Sequence, residues 1–165
     1  MFSVIFPGQG SQIVGMGKEF YDKFDLVKNL FKEADDALNF PLSKMILEGP
    51  KEELNLTANT QPAIFLISYS IFQVIKKEFK IDLYKAKFFA GHSLGEYSAI
   101  ACAEYLDFQD TVRILKIRGN AMQNSVPKGE GGMVAVLGTT VENIENILKD
   151  NLCLLYTSDA ADEED

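Results

Sequence analysis

The chemistry legible in this chain begins at one serine. Residues 88–99 read Phe-Phe-Ala-Gly-His-Ser-Leu-Gly-Glu-Tyr-Ser-Ala, an apolar run that meets Gly91-His92-Ser93-Leu94-Gly95 and then a helix-competent segment. Gly-x-Ser-x-Gly between a strand and a helix is the sequence form of a nucleophile elbow, a sharp turn that lifts the serine hydroxyl clear of the sheet. Gly91 and Gly95 let the backbone fold tightly where a Cβ would crowd the turn. Leu94 then starts the helix, and its free amide can donate to a developing oxyanion. The competing reading is a glycine-flanked turn with an incidental serine. The strand before it and the helix after it favour the elbow.

A serine hydroxyl attacks poorly without a base in hydrogen-bond reach. The chain has one histidine, His92, directly before Ser93. If the strand continues through it, neighbouring side chains point to opposite faces, so His92 reads as a supporting or packing residue. Either the chain is no serine enzyme, or the base comes from protein that these 165 residues lack. Cys102 and Cys153 stand far apart and, with one histidine, build neither a zinc site nor a disulfide framework. Cys102 lies in an apolar helical run and reads as a small core residue.

The elements that position Ser93 follow from the spacing of apolar residues. Phe2–Phe6 predicts a short buried strand stopped by Pro7, and Pro7-Gly8-Gln9-Gly10-Ser11-Gln12 predicts a loop that can approach a ligand closely or simply flex. That loop ends in neither the Lys-Ser/Thr of a phosphate loop nor the third glycine of a dinucleotide turn. One helix is expected over Lys18–Asn39, and a short one around Met45-Ile46-Leu47. A long helix is expected from Thr60 as N-cap to about Phe79, with Gln61 at its leading end. A further helix over Asp110–Ser125 should turn Val112, Leu115, Ile117 and Met122 inward. It also carries Arg113 and Arg118. After a glycine hinge at Lys128–Gly132, a strand at Met133–Leu137 and a helix at Thr140–Lys149 open a second unit, with Val141, Ile144, Ile147 and Leu148 expected inward. Residues 156–165 have no apolar period and read as an acidic tail.

The composition is that of one soluble domain: 47% hydrophobic, 24% charged, net charge −8. The negative charge argues against nucleic-acid binding. The apolar start at Met1–Phe6 is too short for a signal sequence or membrane span, so a cytoplasmic location is expected. Lys76, Lys77, Lys80, Lys85 and Lys87 gather before the elbow strand. They offer either a docking patch for an acidic partner or an ordinary solvated surface.

Four motifs together resemble a known family. Phe6-Pro7-Gly8-Gln9-Gly10-Ser11-Gln12, Thr60-Gln61-Pro62-Ala63, Gly91-His92-Ser93-Leu94-Gly95-Glu96-Tyr97 and Arg118-Gly119 occur in the order seen in malonyl-CoA:acyl carrier protein transacylases, from about Phe2 to about Asp150. The resemblance implies an α/β fold: an α/β-hydrolase-like large subdomain with a parallel sheet and nucleophile elbow, and an inserted ferredoxin-like small subdomain. Residues 1–127 would belong to the first, 128–152 would begin the second, and 153–165 would be a disordered or non-native tail. The implied reaction moves malonyl from coenzyme A to the phosphopantetheine thiol of acyl carrier protein in fatty acid biosynthesis. Ser93 would be the nucleophile, and the Gln9 and Leu94 amides the oxyanion hole. Arg118 would pair with the malonyl carboxylate, and His92 and Gln61 would line the same pocket. No metal or other cofactor is implied, nor a nucleic-acid or membrane partner, and the full protein is expected to be monomeric.

The family's catalytic histidine lies downstream, so the chain is expected to stop before it, with nothing family-like after about Leu152. Two alternatives stay open: a serine esterase or thioesterase, and an inactive partner-binding fragment. Simple esterases need no carboxylate clamp, and Arg118 with the Pro-Gly-Gln-Gly loop speaks against the first.

Overall fold

The apolar start of the chain forms β1 (Val4–Phe6), which runs parallel to β2 (Phe89–Gly91) in a computed structural model that describes residues 1–125, 136 and 138–148. The register pairs Val4 with Phe89, Ile5 with Ala90 and Phe6 with Gly91. Two parallel strands cannot be joined by a hairpin, and the chain between them supplies five helices as the crossover. These are α1 (Lys18–Lys23), α2 (Asp25–Leu38), α3 (Leu42–Glu48), α4 (Lys51–Leu54) and α5 (Thr57–Lys77). A 3₁₀ turn at Leu83–Lys85 leads into β2, and α6 (Leu94–Cys102) and α7 (Phe108–Asn124) follow it.

The core forms around α5, which packs against α2, α6 and α7. Phe65, Leu66, Val27, Phe31, Leu94 and Leu115 are among its fully buried members. A smaller cluster of Phe6, Phe72, Leu83, Ala99 and Cys102 joins the sheet to α5 and α6. Burial there pushes the Cys102 thiol far above its ordinary range, as befits a core cysteine. At the far end of α5, Lys76 Nζ donates to Tyr84 Oη at 2.7 Å and to Glu104 Oε1 at 3.0 Å, joining α5 to the 3₁₀ turn and to the turn after α6. Asp107 caps α7 by accepting from the Gln109 and Asp110 amides at 2.8 and 3.2 Å.

Several boundaries differ from the sequence expectation. The helix expected over Lys18–Asn39 is broken at Phe24, which is extended (φ −120°, ψ 117°). Its ring turns toward Phe20 and Phe79, at centroid distances of 6.1 and 6.3 Å, so tertiary aromatic contacts accompany the break in a continuous period. The helix expected to start at Thr60 begins at Thr57. Thr60 is buried inside it, and its hydroxyl donates back to the Leu54 and Leu56 carbonyls at 2.6 and 3.1 Å. On α7 the inward face is Phe108, Thr111, Val112, Leu115 and Gly119. Ile117 is 67% exposed and Met122 36%, because they fall off the stripe that α5 and α2 cover. The strand expected to be buried at Phe2–Phe6 is shorter, with Ile5 76% exposed. Among the described residues β1 pairs only with β2, and nothing covers that face of the pleat.

The chain divides into the unit Met1–Lys128, to which all of this belongs, and the unit Gly129–Asp165. Within the second, α8 (Val141–Leu148) is described, its first turn fixed by Thr140 Oγ1 accepting from the Asn143 amide at 3.3 Å. None of its residues is fully buried: of the inward face expected, Ile144 and Leu148 are half-buried while Val141 and Ile147 are exposed. Residues 126–135 and 149–165, which flank it in sequence, lie outside the described residues, as do the hinge, nearly all of the strand at Met133–Leu137 and the acidic tail.

Candidate active site

Ser93 sits at the turn from β2 into α6 with φ 54° and ψ −112°, a backbone conformation that a residue with a Cβ seldom adopts. The glycines around it make the turn possible. A Cβ on Gly91 would collide with the Gly95 carbonyl. One on Gly95 would come within 2.5 Å of the Phe6 oxygen and 2.9 Å of the Pro7 oxygen. The first turn of α6 therefore lies directly on the carboxyl ends of both strands, and Ser93 projects where those strands end. In open α/β sheets this is the usual place for a ligand. The Gly95 and Glu96 amides donate to the His92 and Ser93 carbonyls at 2.9 and 3.1 Å. The Leu94 amide has no protein acceptor among the described residues.

The loop after β1 is braced beside this turn. Ser11 Oγ donates to the Gly8 carbonyl at 2.9 Å, and Gln12 Nε2 donates to Asn55 Oδ1 at 2.9 Å. Gln9 Nε2 donates to Thr57 Oγ1 at 3.2 Å. A Cβ on Gly8 would stand 2.7 Å from His92 Nδ1, so the imidazole lies against the Gly8 backbone. His92 thus touches the loop that carries Gln9.

Arg118 reaches the serine from α7. Its Nη2 donates to Ser93 Oγ at 3.2 Å, and its Nη1 donates to Gln61 Oε1 at 2.7 Å. Gln61 is 1% exposed, and its Nε2 donates to Met122 Sδ at 3.2 Å. The guanidinium carbon lies 5.7 Å from the centroid of the Tyr97 ring. No carboxylate pairs with Arg118 among the described residues. Gly119 permits this reach, since a Cβ there would come within 2.6 Å of the Thr57 oxygen and 2.7 Å of Ala58 Cα. Gln123 Oε1 accepts from the Ala58 amide at 3.3 Å and joins the same two helices. On another face of α7, Lys116 Nζ donates to Asn59 Oδ1 at 2.6 Å and sits over the Phe40 ring. Burial holds its ammonium below the usual lysine range.

The sequence matches the family profile described as "Acyl transferase domain" over residues 3–161. The chain belongs to the acyl transferase domain family. It is 46% identical over 148 residues to the malonyl CoA-acyl carrier protein transacylase of Haemophilus influenzae, covering 90% of this chain and 47% of that protein. The acyl-carrier-protein-S-malonyltransferase of Bartonella henselae superposes with a TM-score of 0.83 at 44% identity, over 91% of this chain and 48% of that one. A malonyl-transacylase solved in complex with a type II PKS acyl-carrier protein superposes at 0.82 with 40% identity, over 90% and 47% of the two chains. The chain thus spans about half the length of the curated relatives it matches. Its architecture is the α/β acyltransferase fold, a small parallel sheet among helices.

Of the candidates read from the acyl transferase motifs, the fold brings Ser93, Arg118 and Gln61 into one hydrogen-bonded group. His92 and Gln9 stand beside it on the braced loop and turn. Tyr97 and Met122 complete the group, and the sequence motifs give neither a role in it. Met122 lies four residues after Arg118 and Tyr97 four after Ser93, spacings that put them one turn away. The lysine cluster does not join the site. Lys87 precedes β2 and Ser93 follows it, so the cluster lies at the other end of the strand. Lys76 is engaged by Glu104 and Tyr84. Among the described residues no group of histidine, cysteine and carboxylate side chains could hold a metal, and no helix is long and apolar enough to cross a membrane.

Proposed function

We propose that the full protein transfers malonyl from coenzyme A to the phosphopantetheine thiol of acyl carrier protein, through an acyl-enzyme on Ser93, in fatty acid biosynthesis. Coenzyme A enters as the substrate thioester, and the partner carries the phosphopantetheine, so no further cofactor takes part. On this reading the Gly91–Gly95 turn is a nucleophile elbow. Residues 1–127 are part of an α/β-hydrolase-like large subdomain, and 128–152 begin a ferredoxin-like small one. The protein acts as a cytoplasmic monomer.

The carrying observation is the Arg118 guanidinium, 3.2 Å from Ser93 Oγ and paired with no acid among the described residues. In a malonyl ester the free carboxylate lies three bonds from the ester oxygen, so a guanidinium beside that oxygen can take it in a two-point grip. Ser93 Oγ attacks the thioester carbonyl and gives its proton to a base, which the family resemblance assigns to a downstream histidine. Charge gathers on the carbonyl oxygen, and the family resemblance assigns the Gln9 and Leu94 amides as its donors. The carbon–sulfur bond breaks and coenzyme A leaves as the thiol with the returned proton. The carrier thiol then attacks the ester by the same route in reverse and frees Ser93. Names of relatives support the substrate pair, and the structure solved with an acyl-carrier protein supports the partner.

In the full-length protein given malonyl-CoA, mass spectrometry should detect one malonyl adduct, located on Ser93 and absent from Ser93→Ala. An adduct that survives Ser93→Ala overturns the assignment.

A further inference from the structure

We propose that Tyr97 is a positioning residue that holds the Arg118 guanidinium in place for a carboxylate-bearing acyl group. The inference rests on the malonyl transfer read above and concerns what fixes its clamp.

An arginine at a partly solvated site loses rotamer freedom when it binds, and a pre-held fork loses less. Besides its contact with Ser93 Oγ, Arg118 is held in two ways. In its plane, Gln61 Oε1 accepts from Nη1 at 2.7 Å. Outside the amide's reach, the ring of Tyr97 lies 5.7 Å from the guanidinium carbon, within cation–π range. The ring is itself fixed, because Tyr97 is half-buried and packs against the larger core.

The kind of partner matters as much as its position. A glutamate beside Arg118 would hold it equally well, yet it would occupy the N–H groups that the substrate needs and cancel the charge. An aromatic face attracts the cation while leaving its charge and its donors free. Tyr97 also lies one turn after Ser93 on α6, so the element that presents the hydroxyl also carries the hold on the clamp. The guanidinium, which arrives on α7, is thereby tied to the nucleophile's own helix.

The test compares malonyl with acetyl transfer in the full-length enzyme, since acetyl has no carboxylate. Tyr97→Leu keeps bulk and removes the ring. It should lower kcat/KM for malonyl-CoA about 3- to 30-fold more than for acetyl-CoA, mostly through KM. Tyr97→Phe, which keeps the quadrupole, should stay within about twofold of the parent ratio. Where Tyr97→Leu fails to fold, ring-fluorinated phenylalanines at position 97 keep the shape and drain the face of charge. The malonyl-to-acetyl ratio should then fall stepwise with each fluorine. In an Arg118→Ala background, none of these changes should move that ratio further. Equal loss of both substrates across the series, or a ratio blind to fluorination, overturns the proposal while leaving the Ser93 adduct intact. Loss of the adduct requirement itself would instead overturn the transfer reading.

Discussion

At the scale of single residues, charge that is neither spent nor exposed at random marks the site. Arg118 is half-buried, hydrogen-bonded to a neutral amide and a hydroxyl, and free of acidic partners among the described residues. Arg113, on the same helix, donates instead to Asp110 Oδ1 at 3.0 Å and to Gln109, and so has a structural occupation. Removing Arg118 should therefore be selective. In the full-length protein Arg118→Ala should cost malonyl transfer about 2–3 kcal/mol in kcat/KM, the range of a hydrogen-bonded charge pair. Acetyl transfer should fall much less or rise. Steady-state kinetics with both thioesters decide it, and equal losses would reduce Arg118 to a scaffold residue. Gln61 explains why lysine is a poor replacement: its oxygen is met by one edge of a planar fork while the other edge reaches Ser93.

At the scale of elements, the site is set by two close approaches made at glycines. Gly95 puts α6 on the ends of the strands, and Gly119 puts α7 against the first turn of α5. The second approach carries Arg118 to Gln61, since both residues lie where those helices touch. Gly119→Ala makes a sharp test because two effects oppose each other. Alanine favours a helix over glycine by about 1 kcal/mol. The new methyl, however, would meet the Thr57 oxygen at 2.6 Å and Ala58 Cα at 2.7 Å, both backbone atoms that cannot rotate away. Overpacking of this kind typically costs 1–3 kcal/mol. We expect the clash to win, with net destabilisation of up to about 2 kcal/mol in chemical denaturation and weaker malonyl transfer from a displaced Arg118. A more stable Gly119→Ala protein would show that α7 has room to retreat.

At the scale of the whole molecule, an apolar groove of about 340 Å³ runs between β1 and α5, lined by Val4, Ile5, Phe6, Ile67, Ile71 and Ile75 among others. Ile5 and Phe88, which the strand register puts on one face of the sheet, are 76% and 58% exposed. Apolar patches of this kind bind hydrophobic dyes and promote association. The same 165 residues contain one histidine, whose ring lies against Gly8. Expressed by itself, this chain should bind such a dye strongly, self-associate in light scattering, and transfer malonyl no faster than its Ser93→Ala variant. A monomeric 165-residue protein with turnover near one per second or above would overturn this expectation.

The sequence by itself determined the local chemistry of this protein. The strand, the Gly-x-Ser-x-Gly turn and the helix after it are written in consecutive residues, because a tight turn needs its glycines next to the serine. The apolar periods of α5 and α6, and the arginine after Leu115 and before Gly119, were legible for the same reason. Tertiary structure decided what distant elements do to one another. It broke the expected Lys18–Asn39 helix at Phe24, whose ring packs near Phe79, and it moved the start of α5 ahead of Thr60, whose hydroxyl turns back into the helix. It left Ile117 and Met122 outside the stripe that α5 and α2 cover. It also set Tyr97, Arg118, Gln61 and Met122 in one chain of contacts drawn from three helices. Local patterns record backbone preference and which face is apolar. They do not record which faces meet, and a site assembled across α5, α6 and α7 exists only once those helices have packed.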